Sequence, residues 1–383
     1  MNAIRRHVVT AMAALACLPP GVMAQNQPVK IAGLFELSGA GAAAGTNLRD
    51  GVALAVKEIN AAGGILGRKI DLSINDTQTN PGVAKGLTAK VVEDGAFAIF
   101  GPVFSGSIMV SMTESRRGEV PNFVAGEAAS ITKQGNPYVF RTSFTQETAM
   151  PKVARYIADG LKAKSVAVLF VNNDFGKGGR DAITKALGDV GVKIVADIST
   201  DSGQIDFSAP VLRARQSNAD ALFVYTNEEE SARALRELRK QGFGKPIVGE
   251  TTLVGQKVID LAGDAANGAV AHVGLTADAP NPQMLKFKDS FHQDYKYFPD
   301  HNGIKGYSGV YVLKAAVEKV GKLDRKAVAQ AMHSLSVKVS EHPGVLMDVT
   351  YDANGDLDRE SFLVEVKGGR QVVTQVLPAL TKQ

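Results

Sequence analysis

Tryptophan is absent from the chain, and one cysteine, Cys17, serves all 383 residues. A lone cysteine closes no disulfide within the chain, so the fold must be held by its core. Aromatics make up only 6% of the residues, which suits an interior of Ala, Val and Gly in an α/β protein. No charge of one sign dominates: 43 Lys+Arg against 39 Asp+Glu leave a formal +4. That balance implies neither nucleic acid nor an anionic membrane surface as a partner. The six histidines, His7, His272, His292, His301, His333 and His342, form no i, i+4 pair and none joins a cysteine. A zinc site is therefore not expected, and no metal or other cofactor is. Low-complexity linkers are missing. So is any apolar run of membrane-spanning length after the first two dozen residues.

Those first residues carry the strongest single pattern. Arg5 and Arg6 precede an apolar run from Val8 to Leu18, then Pro19-Pro20-Gly21, then Val22-Met23-Ala24. A basic start, a short apolar stretch and small residues before a cut make a secretory signal peptide over residues 1–24. The run is too short to span a bilayer. The mature chain is expected to begin near Gln25, free of cysteine, and to work in the periplasm. Nucleotide-dependent chemistry is unfavoured there. Lipidation at Cys17 is the alternative, but Ala14 stands where a larger aliphatic residue is needed.

The length suggests two domains, since single cores stop growing at about 250–300 residues. Strands and helices alternate. Val29–Leu34 reads as a strand, followed by a Gly/Ala/Ser loop and a helix over Asn47–Ala61 that stops at Gly63-Gly64. Strand, glycine loop, helix, glycine stop and strand recur from Ser165, with Asn172–Gly179 as the loop. Further on, helices are predicted over Met284–Tyr295, Ser308–Val320 and Arg325–Ser334, and strands over Val345–Tyr351, Ser361–Lys367 and Gln371–Val376. The plan predicts two Rossmann-like lobes with parallel-rich sheets and an antiparallel finish.

Several local patterns could carry chemistry. Gly39–Gly45 fits a loose dinucleotide loop, but the signal is weak in an Ala/Gly-rich chain, a tight strand-to-helix turn explains it better, and an exported protein meets little free NAD. Ser105 lacks the G-x-S-x-G elbow, because position 103 is Val, so a hydrolase reading is weak. Asp352–Asp358 has the wrong spacing for a calcium loop, and an Asn354-Gly355 turn accounts for it. A better reading places Phe104–Ser107 at a helix start, where hydroxyls and amide N–H groups face a small anion. Four polar segments, Phe35–Gly45, Phe104–Ser107, Asn172–Gly176 and Tyr225–Glu228, fall at C-terminal ends of predicted strands, the ligand-binding edge of open α/β sheets.

The segments VKIAGLFELSG, GVALAVKEINAAGGILGRKIDL, FGPVFSGS, PYVFRT, VLFVNNDFGKGG and ADALFVYTNEE resemble the periplasmic branched-chain amino-acid (Leu/Ile/Val) binding proteins. The resemblance covers nearly all of the mature chain. It implies a type I periplasmic binding protein fold and a substrate-binding subunit of an ABC importer, not an enzyme, with no catalytic residue. The implied first lobe is 28–143 plus 276–357, and the second 144–275 plus 358–383. Hinge crossings are expected near Thr142–Thr145, Gly274–Ala277 and Asp356–Phe362.

The resemblance also implies site residues. The ligand loops fall on Phe104, Ser105, Gly106 and Ser107, on Ala125, Gly126 and Glu127, and on Phe175 of the second lobe. An acid for a ligand ammonium falls on Glu127 or near Glu250-Thr251. Phe35, Phe104, Phe175 and Tyr225 are expected as walls. Three departures stand out: Glu127 replaces a usual Thr, Ala43-Ala44 replace a common tyrosine, and the position of the ammonium-binding acid aligns with Thr251 rather than Glu250. The expected ligand is a small amino acid or related carboxylate, with an aromatic acid or amide as the alternative. The expected partners are that solute and the permease subunits, for a protein acting as a monomer. A sensor lobe for a separate receptor is the competing class.

Overall fold

The computed structural model describes residues 27–379. The signal segment, its cleavage site and Cys17 lie outside the described residues. Five strands, β1 (Val29–Phe35), β2 (Ile70–Asp76), β3 (Ala98–Phe100), β4 (Asn122–Val124) and β5 (Val139–Arg141), form a wholly parallel sheet in the order β2-β1-β3-β4-β5. A second sheet holds β6 (Ser165–Val171), β7 (Lys193–Thr200), β8 (Ala221–Tyr225), β9 (Ile247–Gly249), β10 (Val270–Val273), β14 (Ser361–Lys367) and β15 (Arg370–Leu377). Its order is β15-β14-β10-β9-β8-β6-β7, parallel except for β14 and β15. Between β10 and β14 in sequence, β11 (Ser336–Val337), β12 (Val349–Tyr351) and β13 (Leu357–Asp358) make a small antiparallel sheet. The turn predicted at Asn354-Gly355 joins its last two strands, with Gly355 at φ +83°.

Helices cover both large sheets, as parallel strands buried on two faces require. They are α1 (Ala42–Ala61), α2 (Pro81–Glu93), α3 (Ser105–Arg117), α4 (Gln146–Arg155), α5 (Asp174–Asp189), α6 (Ser208–Gln216), α7 (Glu228–Lys240), α8 (Thr251–Val254), α9 (Gln256–Ala262), α10 (Pro282–Tyr295), α11 (His301–Val320) and α12 (Arg325–Met332). The first core stacks Phe100 on Phe123, centroids 5.0 Å apart. The chain passes between the part built on the first sheet and the part built on the second at 142–145, 274–281 and 359–360, since α11 packs on α1 of the first.

Several predicted elements start elsewhere. Helix α1 begins at Ala42, inside the glycine loop, and α5 begins at Asp174, so most of the expected Asn172–Gly179 loop is helix. Helix α4 begins at Gln146 and carries Pro151 inside it. The strand expected from Val345 begins only at Val349, because Pro343–Val345 is a 3-10 turn. Most consequentially, α11 begins at His301, a full two turns before the expected Ser308. Asp300 caps it, accepting from the Asn302 and Gly303 amides at 2.7 and 3.4 Å. Helices α8 and α9 and the short strands β11 and β13 were not anticipated at all.

Candidate functional site

The C-terminal ends of β3, β4, β6, β8 and β9 face one another, and between them lies a cavity of about 240 Å³. The first sheet contributes Val103–Ser107 and Ala125–Glu127, the second Asn173, Phe175, Asn227 and Glu228, and α11 contributes His301, Asn302 and Lys305. The two sides are close: a Cβ on Gly106 would lie 3.4 Å from Asp174 Oδ2, so the N-termini of α3 and α5 meet across the cleft.

Helix α3 has Phe104 at its N-cap, with no side chain capping it. The buried Glu36 carboxylate takes the amides of Val103 (3.0 Å) and Phe104 (3.0 Å) from behind. That leaves the amides of Ser105, Gly106 and Ser107 without a partner among the described residues, alongside two buried hydroxyls. Ser105 Oγ also accepts from the Ala128 amide at 3.3 Å, tying α3 to the next loop. A helix start so arranged suits an anion.

The loop after β4 is held rigidly. Arg141, fully buried, donates to Gly126 O (2.6 Å), Ala128 O (3.1 Å) and Asp356 (2.6 Å). Ser143 Oγ donates to Ala125 O at 3.1 Å and Gly126 O at 3.0 Å. Glu127 then projects into the cavity, where Lys305 Nζ meets it at 2.9 Å and Ala125 O at 3.3 Å. Tyr225 OH reaches the other Glu127 oxygen at 3.4 Å. Burial pushes the Glu127 carboxyl up to about 7, while the Lys305 ammonium pulls it down and neighbouring Glu250 pushes it up.

Glu228 behaves differently. It opens α7 and faces the cavity, yet no Lys or Arg lies within ion-pair distance among the described residues. Its contacts are Asn302 Nδ2 at 3.4 Å and His301 Nε2 at 3.8 Å. Burial pushes its carboxyl up to about 7, with Asp300 adding repulsion and the more distant Lys305 ammonium pulling it down. The same burial lowers the His301 imidazole well below its usual range, so Glu228 faces a neutral ring.

Of the residues expected at the site, Phe104, Ser105, Gly106, Ser107, Ala125, Gly126, Glu127 and Phe175 line this cavity. Four do not. Phe35 is fully buried, its ring lying over Gly33, where a Cβ would come within 2.1 Å of it; it is core, not wall. Tyr225 is also fully buried, stacked on Phe175 at 4.3 Å and on Phe223 at 5.8 Å. Its hydroxyl accepts from Gln146 Nε2 at 3.0 Å. Glu250 and Thr251 sit behind the cavity, their side chains bonded to each other at 2.7 Å, with His272 Nδ1 3.2 Å from Glu250. Glu127, expected to meet an ammonium, already has one in Lys305. The sequence reading missed Glu228, Asn227, His301, Asn302, Lys305, Thr79 and Thr252. Glu228 was within reach, as it ends the polar segment after β8. Among the described residues no cluster suited to a metal ion is present, and no helix is long and apolar enough to cross a membrane.

Two parallel-rich lobes, three chain crossings and a cavity at facing strand ends define a solute-binding protein of type I periplasmic fold. A family model described as "Periplasmic binding protein" matches residues 28–371. The Leu/Ile/Val-binding protein BraC3 of Rhizobium johnstonii is 30% identical over 370 residues, covering 96% of this chain and 98% of the relative. The chain belongs to the periplasmic binding protein family, whose matched relatives are binding proteins of transporters. The leucine-, isoleucine-, valine-, threonine- and alanine-binding protein of Pseudomonas aeruginosa is 26% identical, over 88% of this chain and 89% of that protein. Two solved structures share the fold. One is LivJ from Streptococcus pneumoniae with isoleucine, at 24% identity and TM-score 0.83, covering 92% of this chain and 99% of that one. The other is an R. palustris solute-binding protein with benzoate, at 23% identity and TM-score 0.85, covering 93% and 98%.

Proposed function

We propose that this protein, exported to the periplasm and acting as a monomer, captures one small α-amino acid and delivers it to the permease of an ABC importer. The observation that carries this reading is the pairing of opposite ends in one cavity. A helix start with three free amides and two hydroxyls suits a carboxylate, and a buried carboxylate without a Lys or Arg, Glu228, suits an ammonium. Phe104 and Phe175 supply apolar surface for the remainder. The volume of about 240 Å³ is below the roughly 300–1,000 Å³ of pockets for drug-sized ligands, which fits a single small solute. The names of the Rhizobium and Pseudomonas relatives and the isoleucine in LivJ support the same class. The buried Lys305 and the benzoate-bound neighbour favour a second reading, a carboxylate without an amine.

The mechanism makes and breaks no bond. Ligand bridging α3 on one lobe and Glu228 on the other stabilises the closed arrangement by its differential affinity for it. The experiment is a thermal-shift screen of amino acids and of the matching carboxylates without the amine. A ligand at 100 times its Kd stabilises the protein by about 2.7 kcal/mol. Ser105→Ala is expected to weaken binding by about 1.5–3 kcal/mol, the range for a hydrogen bond to a charged group. Unchanged binding would remove α3 from the site.

A further inference from the structure

A second cavity, also of about 240 Å³, lies beside the second chain crossing. It is walled by Gln256 and Asp260 of α9, by Thr276–Asp278, by Lys288 of α10, and by the start of β15. One residue lines both this cavity and the ligand cavity: His301. Its ring is buried, 4% exposed. Nε2 faces Glu228 at 3.8 Å, while Nδ1 has no hydrogen-bond partner. That nitrogen lies toward Gly255, the residue before α9, where a Cβ would be 3.8 Å from it. The side chain thus borders both spaces, with Nε2 on the side of the ligand cavity. As the first residue of α11 it makes no cap, since Asp300 does that.

We infer that His301 is the partition that sets how long a ligand side chain the site accepts, and that the second cavity is the extension a longer one would enter. The inference rests on the amino-acid reading above and goes past it to specificity. The chemistry of the extension is polar. Asp278 is taken by Lys288, and the Gln371 side chain by Thr276 (2.6 Å) and by Val254 O (2.6 Å). Arg370, at the rim, has no ion-pair partner among the described residues. A chain ending in a carboxylate or amide oxygen is therefore the class the extension would take.

The test compares wild type, His301→Ala and the volume-conserving His301→Gln by calorimetry. The probes are alanine and valine as short ligands, with glutamate and 2-aminoadipate as long ones. The ratio of long to short affinity is the readout, because a merely structural role lowers both alike. His301→Ala should raise that ratio by about tenfold or more, His301→Gln should leave it near the wild-type value, and Arg370→Gln on the alanine background should cancel the gain. An unchanged ratio in His301→Ala overturns the inference. If wild type takes only carboxylates lacking the amine, the amino-acid reading fails, and the same comparison runs on butyrate against adipate. A ligand-free structure of His301→Ala decides independently of any ligand: one continuous cavity supports the partition, and two separate cavities overturn it.

Discussion

Glu228 and Glu127 both sit in the cavity with carboxyls raised to about 7, and their surroundings give them different roles. Glu127 has its cation in place, 2.9 Å away. Lys305→Met would leave a buried acid unpaired, so a loss of about 3–5 kcal/mol is expected in denaturant unfolding, with much of it recovered by adding Glu127→Leu. Under the proposed function, Glu228 takes its close cation from the ligand. An arriving ammonium lowers its pKa below about 7, so binding releases a proton, and affinity for an amino acid should fall as pH drops through 7. Calorimetry in buffers of different ionisation enthalpy reads that proton directly. Glu228→Gln should lose both the proton release and about 1.5–3 kcal/mol of binding. Folding stability follows the same groups. Glu36, Glu127 and Glu228 are raised to about 7 and Asp300 to about 6, so the native state holds more protons than the unfolded chain above pH 4.5. The lowered histidines His272 and His301 act oppositely, but only below about 6.5. The four acids outweigh them, so the ligand-free protein should melt at a lower temperature at pH 8 than at pH 6. A rise would show that these carboxyls are ionised without penalty.

Helix α11 decides how much of the site could be read in advance. Its first two turns, His301 to Tyr307, contain two glycines and an asparagine and follow Pro299-Asp300, all of which signal a turn. The glycines are there for packing. A Cβ on Gly51 of α1 would lie 2.0 Å from Gly303 O, and one on Gly306 would lie 2.4 Å from Leu48 O, so α1 and α11 touch backbone to backbone. Tertiary contact overrode local propensity, and His301, Asn302 and Lys305 were lost from the sequence reading with it. Gly51→Ala should push the helices apart and cost about 1–3 kcal/mol, measured by urea unfolding. A neutral result would mean that the contact yields freely. By contrast, α3 follows a short apolar strand and a Gly-Pro pair, signals close in sequence, and its Ser105 and Ser107 were legible. Helix α5 hid its start for the same reason as α11. Gly176 and Gly179 suggest a loop, but a Cβ at either would lie within 2.0 Å of Val171 O or of the Tyr225 ring.

At the scale of the whole molecule, the three crossings meet around one side chain. Phe144 in the first is covered by Gly274 in the second, where a Cβ would lie 2.2 Å from the ring, and by the Arg359 guanidinium in the third, 5.6 Å from its centroid. The repeated strand, loop and helix plan made two lobes readable from sequence and, with the family resemblance, the three crossings, whereas their packing around Phe144 joins residues far apart in the chain and left no local signal. Short crossings around one pivot favour rigid-body closure, so small-angle scattering should show compaction on saturation with ligand. The central claim is that the cavity recognises a zwitterion by both ends, and calorimetry of the mature protein tests it with an α-amino acid against the same carboxylic acid without its amine. The account predicts one-to-one binding of the amino acid, about a hundredfold or more tighter than its amine-free counterpart. Equal or tighter binding of the amine-free acid would contradict it.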